Sequence, residues 1–156
     1  MKRRDVGGRS AERAGGAAKA KRAKGAATSA APGDPSARAL ALRVMTMPKD
    51  TNPYGTVFGG VILSIIDQAG FVHARRHGGH RWVTVALDAV EFKRPVHLGD
   101  VVAAYARTLR TGRTSVTVEV EVEAERFSGH ETVAVTAARL TMVCVDETGR
   151  AVPFAG

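Results

Sequence analysis

The sequence predicts an α+β domain in which a curved antiparallel β-sheet wraps around one long central helix, and three features of the chain predict it. One stretch, Val61 to about His77, contains no proline, is apolar nearly all round for its first two turns, and is long enough to be a buried helix. One strand-like segment precedes it and four follow. Short, turn-rich connections join the last four, which favours antiparallel neighbours in a meander.

Residues 1–38 come before the first element and carry ten Lys/Arg against Asp5, Glu12 and Asp34. They are rich in Ala and Gly and nearly lack large apolar side chains, so they cannot offset the entropy of ordering. A disordered basic tail is expected, followed by one folded domain over 39–156. Ala39–Met47 alternates as a half-buried strand does, with Leu40, Leu42 and Val44 on the dry face. Pro48, Asn52, Pro53, Gly55, Gly59 and Gly60 then crowd thirteen residues and read as loop. After the helix, Gly78-Gly79 is the stop signal. Strands are expected over Trp82–Phe92, Val101–Arg110, Val116–Glu123 and Thr132–Val145, separated by Arg94-Pro95 with Gly99-Asp100, by Thr111-Gly112-Arg113, and by Ser128-Gly129-His130. The third is the clearest, because Val116, Val118, Val120 and Val122 alternate with Glu119, Glu121 and Glu123. Such a sheet leaves long open edges and a bare helix flank, so a partner copy is expected to cover them.

The formal net charge is +8, but +7 of it belongs to residues 1–38. The basic balance is a property of the tail, and a nucleic-acid partner is not expected. Cys144 is the single cysteine, sits within Met142-Val143-Cys144-Val145, and reads as a small apolar strand residue of a reducing compartment. Lys2-Arg3-Arg4 leads into Asp5-Val6-Gly7-Gly8-Arg9 rather than an apolar run, so no secretory signal is expected. The longest apolar run, Val61–Ile66, is broken by Ser64 and closed by Asp67, far short of the ~20 residues a bilayer span needs. A cytoplasmic protein without a membrane partner is the expectation, with an Arg-rich organellar leader as the alternative that composition leaves open.

Asp67 is the first candidate for chemistry. It lies inside the apolar start of the helix, and its neighbours three and four positions away, Leu63, Ser64, Gly70 and Phe71, offer no opposite charge. Either it marks the wet side of the helix, or it is a carboxylate put to use. Gly59 and Gly60, directly before the helix, would let a ligand approach the backbone, where the first amides have no internal acceptor and could hold a carbonyl oxygen. The bland reading of the same pair is a flexible turn. Arg110, Thr111, Gly112, Arg113, Thr114 and Ser115 place two guanidinium groups and several hydroxyls around one turn, suited to phosphate or simply to solvent, and Lys93 and Arg94 carry the same ambiguity. His73 and His77 share zinc-like spacing, but no carboxylate follows His73; both are better explained as favourable to the helix dipole, and no metal is expected.

Together the stretches Asn52-Pro53-Tyr54-Gly55-Thr56-Val57-Phe58-Gly59-Gly60, Asp67-Gln68-Ala69-Gly70, Val83-Thr84-Val85-Ala86 with Asp88, Phe92-Lys93-Arg94-Pro95-Val96 with Gly99-Asp100, and Arg110–Ser115 resemble the hotdog-fold cytosolic acyl-CoA thioester hydrolases, over about residues 40–153. The resemblance implies a hotdog fold, a double-hotdog dimer and commonly a trimer of dimers, hence a hexamer, with acyl-CoA as substrate and a place in fatty-acid metabolism. It implies that Asp67 is catalytic as base or nucleophile, and that Asn52 lies in the opposing half of the same site. With the resemblance in hand, the Gly59 and Gly60 amides are expected to hold the thioester oxygen, and the basic loops Lys93-Arg94 and Arg110–Ser115 to bind coenzyme A. No cofactor is expected, coenzyme A being part of the substrate. Thr56 stands where many relatives carry Asn or Asp, and the basic tail has no counterpart. A non-catalytic acyl-CoA-binding regulator is the alternative, and it would have no use for Asp67.

Overall fold

The computed structural model describes residues 34–154. Strand β1 (Ala39–Met45) leads through a short 3-10 turn at Pro48–Asp50 to helix α1 (Gly59–Ala74), which tightens into a further 3-10 turn at Arg75–His77. Strands β2 (Arg81–Leu87), β3 (Val101–Thr111), β4 (Ser115–Glu125) and β5 (Thr132–Val145) follow. All pair antiparallel in one sheet of order β1-β3-β4-β5-β2, which curls around α1 as a hotdog fold does.

The alternation in β4 does what its sequence requires. Val116, Val118, Val120, Val122 and Ala124 are buried against the helix, each large side chain contributing about 1.5–3 kcal/mol relative to exposure. The outward glutamates form ion pairs with neighbouring strands: Glu119 with Arg107 and Arg139, Glu121 and Glu123 with Arg38, and Glu125 with Arg43. Helix α1 turns Ile62, Ile65, Ile66, Ala69, Gly70, His73 and Ala74 towards the sheet. Gly70 permits the closest approach, since a Cβ there would stand 3.0 Å from Leu140 Cδ2. At the helix end Gly78 has φ +131°, and a Cβ would come within 2.6 Å of the His80 ring, so this turn needs glycine.

Several expectations are corrected. The last four strands are not a meander: β2 pairs with β5, at the far side of the sheet from β3. The link between β2 and β3 is a crossing loop, Asp88 to Asp100, rather than a hairpin. Regular strand stops at Leu87, but the chain stays beside β5 as far as Lys93, through Asp88 N–H to Arg139 O at 3.0 Å and Lys93 N–H to Val135 O at 2.8 Å; this is why residues up to Phe92 look strand-like. In β1 a register shift between Leu40 and Leu42 breaks the expected dry face, and Leu40 and Val44 are exposed on this edge strand. The helix is also not buried all round, for Phe71 and Val72 are exposed on the flank facing away from the sheet.

Of the segment expected to be disordered, residues 34–38 belong to the described part and pack on the domain; the rest lies outside the described residues. Pro35 O accepts from Thr108 N at 2.7 Å, and Arg38 lies over the Tyr105 ring at 3.7 Å while pairing with Glu121 and Glu123. Among the described residues no helix is long and apolar enough to cross a membrane.

Candidate active site

Asp67 sits on the open flank of α1, together with Gln68, Phe71 and Val72. In the single chain it is exposed, as the wet-side alternative has it. It is nonetheless held: the Thr84 hydroxyl of β2 donates to Asp67 Oδ1 at 2.5 Å. Thr84 Oγ1 also lies 3.2 Å from Met142 Sδ, so the hydroxyl is fixed between the carboxylate and the core. Carboxylate and hydroxyl line a cavity of about 470 Å³ whose other walls are Leu42, Gln68, Phe71, Val72, Trp82 and Val83. A carboxylate on the wall of a largely apolar cavity, with one oxygen oriented by a hydroxyl, is suited to proton transfer on a bound ligand. Sequence reasoning missed Thr84 as Asp67's partner. The one available signal was a lone hydroxyl in the apolar run Val83–Leu87.

Asn52 shapes the loop that delivers the chain to the helix. Its Oδ1 accepts from the Tyr54 and Thr56 amides at 2.9 and 3.2 Å, its Nδ2 donates to Thr56 Oγ1 at 2.8 Å, and its own amide donates to Thr56 O at 2.7 Å. The side chain is thus engaged inside its own turn, which Gly55 closes with φ +79°. Thr56, at the position where the resemblance led us to expect Asn or Asp, serves as the hydroxyl in this ring. The loop ends at Gly59 and Gly60, whose amides open α1 with no carbonyl one turn back within the helix.

Gly59 does share a cavity with basic residues, but not with Asp67. It lines a second cavity of about 290 Å³ with Thr56, Phe92, Lys93, Arg94, Pro95 and Val135 among its walls. The loop carrying Lys93 and Arg94 is pinned by Arg126, which donates to Pro95 O at 3.0 Å and to Asp100 Oδ2 at 2.5 Å. Asp100 is buried and also accepts from the His97 and Phe127 amides at 2.9 and 3.3 Å. Burial alone would raise its pKa, but these donors and the Arg126 charge outweigh it and hold the carboxyl below its ordinary range. Sequence reading had singled out neither Arg126 nor this role for Asp100.

The turn Arg110–Ser115 lies at the other end of the sheet. Ser115 is in register with Val143 of β5, whereas Lys93 bonds to Val135, eight residues away along the same strand. At about 3.3 Å per residue the two basic loops are roughly 26 Å apart. Asp67 is nearer the Arg110–Ser115 end, since its partner Thr84 is in register with Met142, next to Val143. Gly59 and Asp67 are eight helical residues apart, about 12 Å along the axis. One chain therefore brings together Asp67 with Thr84, and Gly59 with Lys93 and Arg94, but it does not unite these two groups.

His73 and His77 are explained differently from the dipole expectation, which requires charged rings. His73 is buried, with Nε2 at 3.1 Å from both Pro35 O and Thr108 Oγ1, and His77 Nε2 is 2.8 Å from the same hydroxyl. Burial, assisted by the Arg76 charge, lowers the His73 pKa to about 4, and the same causes lower that of His77. As neutral groups, His73 ties Pro35 to the helix end, and both rings tie that end to Thr108 of β3.

The sequence model of the thioesterase superfamily matches residues 54–126. A Haemophilus influenzae protein described as an uncharacterized acyl-CoA thioester hydrolase is 40% identical over 114 residues, 71% of this chain and 74% of that one. The acyl-CoA thioester hydrolase YciA of Escherichia coli is 39% identical over 114 residues, 71% of this chain and 86% of its own. Among solved structures, a hexameric hotdog fold thioesterase of Campylobacter jejuni is 43% identical, with a TM-score of 0.69 over 73% of this chain and 88% of that chain.

Proposed function

Because this chain belongs to the acyl-CoA thioester hydrolases of the thioesterase superfamily, we propose that it cleaves acyl-CoA at a site shared by two copies, with Asp67 as the base. The enzyme is a thioester hydrolase, releasing a free carboxylic acid and coenzyme A. The observation that carries the role of Asp67 is its carboxylate on the wall of the 470 Å³ apolar cavity, with Oδ1 held by Thr84.

Oδ2 of Asp67 takes a proton from a water molecule as the water oxygen attacks the thioester carbonyl carbon. The displaced π pair settles on the carbonyl oxygen, where the Gly59 and Gly60 amides donate. Collapse re-forms the C=O bond and breaks C–S, and the departing thiolate takes the proton from Asp67. Attack by the carboxylate itself, through an anhydride, is the alternative; water attack is the route we favour. No cofactor enters the scheme.

Oxyanion donors act only within about 3 Å of the oxygen they stabilise. Glycine amides about 12 Å up the helix from Asp67 are out of reach within one chain, and this separation supports a site in which Asp67 and Thr84 come from one copy and Asn52, Gly59 and Gly60 from another. The same division lets Lys93 and Arg94 of one copy and Arg110, Thr111, Gly112, Arg113, Thr114 and Ser115 of another grip the phosphates of one coenzyme A. A double-hotdog dimer, assembled as a trimer of dimers, is the proposed form. A reducing, cytoplasmic setting goes with it, supported by the free, buried Cys144.

The test is thiol release from acyl-CoA by the wild type and by Asp67→Asn. The variant is expected to fold normally by circular dichroism and to lose roughly 10²-fold or more in kcat. Near-normal turnover would remove Asp67 from the chemistry. Tight acyl-CoA binding with no thiol release by the wild type would favour a non-catalytic binding module instead.

A further inference from the structure

Resting on the hydrolase reading, the geometry points to Trp82, braced by Phe154, as the residue that sets how long an acyl chain this enzyme accepts. The cavity beside Asp67 is apolar apart from Asp67, Gln68 and Thr84, so it fits a hydrocarbon chain better than a polar group. From Asp67 its lining follows α1 to Phe71 and Val72, a rise of roughly 7–8 Å for five residues. At that end stands Trp82, the largest side chain of the wall.

Trp82 is fixed in place. It is 4% exposed, its indole N–H donates to Gly78 O at 3.3 Å, and its ring meets that of Phe154 edge-on with centroids 4.9 Å apart. Phe154 is delivered by the chain beyond β5, where Ala151 bridges to Val145 and Val152 N–H bonds to Cys144 O at 2.9 Å. The rings of His77 and His80 lie against Phe154 at 5.9 and 6.4 Å and flank it. Phe154 is not part of the cavity wall, yet it stands against the ring a longer chain would have to displace. Such a chain would have to move two packed aromatic rings at once, whereas a chain ending short of Trp82 moves none.

The experiment compares kcat/KM for butyryl-, octanoyl- and palmitoyl-CoA in the full chain, in Trp82→Leu and in Phe154→Ala. The wild type should turn over the shorter substrates better than palmitoyl-CoA. Trp82→Leu should raise the palmitoyl-to-butyryl ratio about tenfold or more, on the scale by which apolar pockets discriminate. Phe154→Ala keeps every wall residue and should move the ratio the same way by a smaller factor; it decides the matter if Trp82→Leu does not fold. A general loosening would scale all three substrates alike, so an unchanged ratio in the folded variants overturns the inference while leaving the hydrolase reading intact. A changed elution volume on gel filtration with an unchanged ratio also overturns it, and gives Trp82 and Phe154 a part in holding copies together rather than in selecting the chain. Failure of the wild type to release thiol from any of the three removes the hydrolase reading, and the chain-length stop falls with it.

Discussion

Thr84 and Asp67 touch across seventeen residues of chain, and in the proposed reaction the hydroxyl would hold the carboxylate in one orientation before substrate arrives. Thr84→Val is expected to lower kcat by about tenfold with KM nearly unchanged, and Thr84→Ser to recover most of it. A change in KM alone would make Thr84 a substrate contact. Asp67 stood out in the sequence as a candidate because a carboxylate inside an apolar helix is conspicuous, whatever its role. A threonine in a strand is ordinary, and only the packing of β2 beside the helix gives it a partner. His73 shows the converse: its position near a helix end suggested a charged ring, but burial and the nearby Arg76 charge favour a neutral one, against the pull of its bond to Pro35 O. Its pKa is lowered to about 4, against an ordinary value of 6.5 in the unfolded chain. Between those values the unfolded state takes up a proton that the folded state refuses, so stability is full above about pH 6.5 and declines towards pH 4, by at most about 3 kcal/mol. Melting temperature measured against pH should show this slope in the wild type and a flatter one in His73→Gln.

The crossing loop between β2 and β3 is where pattern reading failed at the level of elements. Arg94-Pro95 and Gly99-Asp100 are genuine turn signals, but a turn signal does not say which strand the chain meets next, and the pairing of β2 with β5 depends on residues fifty-eight positions apart, Thr84 and Met142. Hairpins such as Thr111–Ser115 were legible because their partners are adjacent in sequence. The loop keeps its shape through the buried pair Asp100–Arg126. Asp100→Asn leaves the Arg126 guanidinium without its carboxylate and should cost about 3 kcal/mol in a denaturant titration at neutral pH. The carboxyl pKa is lowered in the folded state, so this contribution is present above the unfolded carboxylate value of 3.8 and is lost as pH falls through the folded one. A variant as stable as the wild type would mean that the loop is held by Thr46, whose hydroxyl bonds to His97 O and Asp100 O.

At the scale of the molecule, the two halves of the proposed site lie too far apart to meet within one chain. Mixing Asn52→Ala chains with Asp67→Asn chains, each inactive alone, should restore activity once subunits exchange. In a mixed dimer one site carries both lesions and the other neither, so random mixing returns at most about a quarter of the wild-type rate per chain. No rescue despite proven exchange would refute a shared site. The basis for expecting a partner was legible early, in the open sheet edges and the bare helix flank. The resemblance had already set Asn52 opposite Asp67; the structure adds that Gly59 lies in the same helix as Asp67, roughly 12 Å away along its axis. That spacing also ties catalysis to abundance. If an isolated chain carries every functional group and still cannot act, dilution below the dissociation constant of the assembly silences the enzyme without unfolding it, and a cell making twice as much protein near that threshold gains more than twice the turnover.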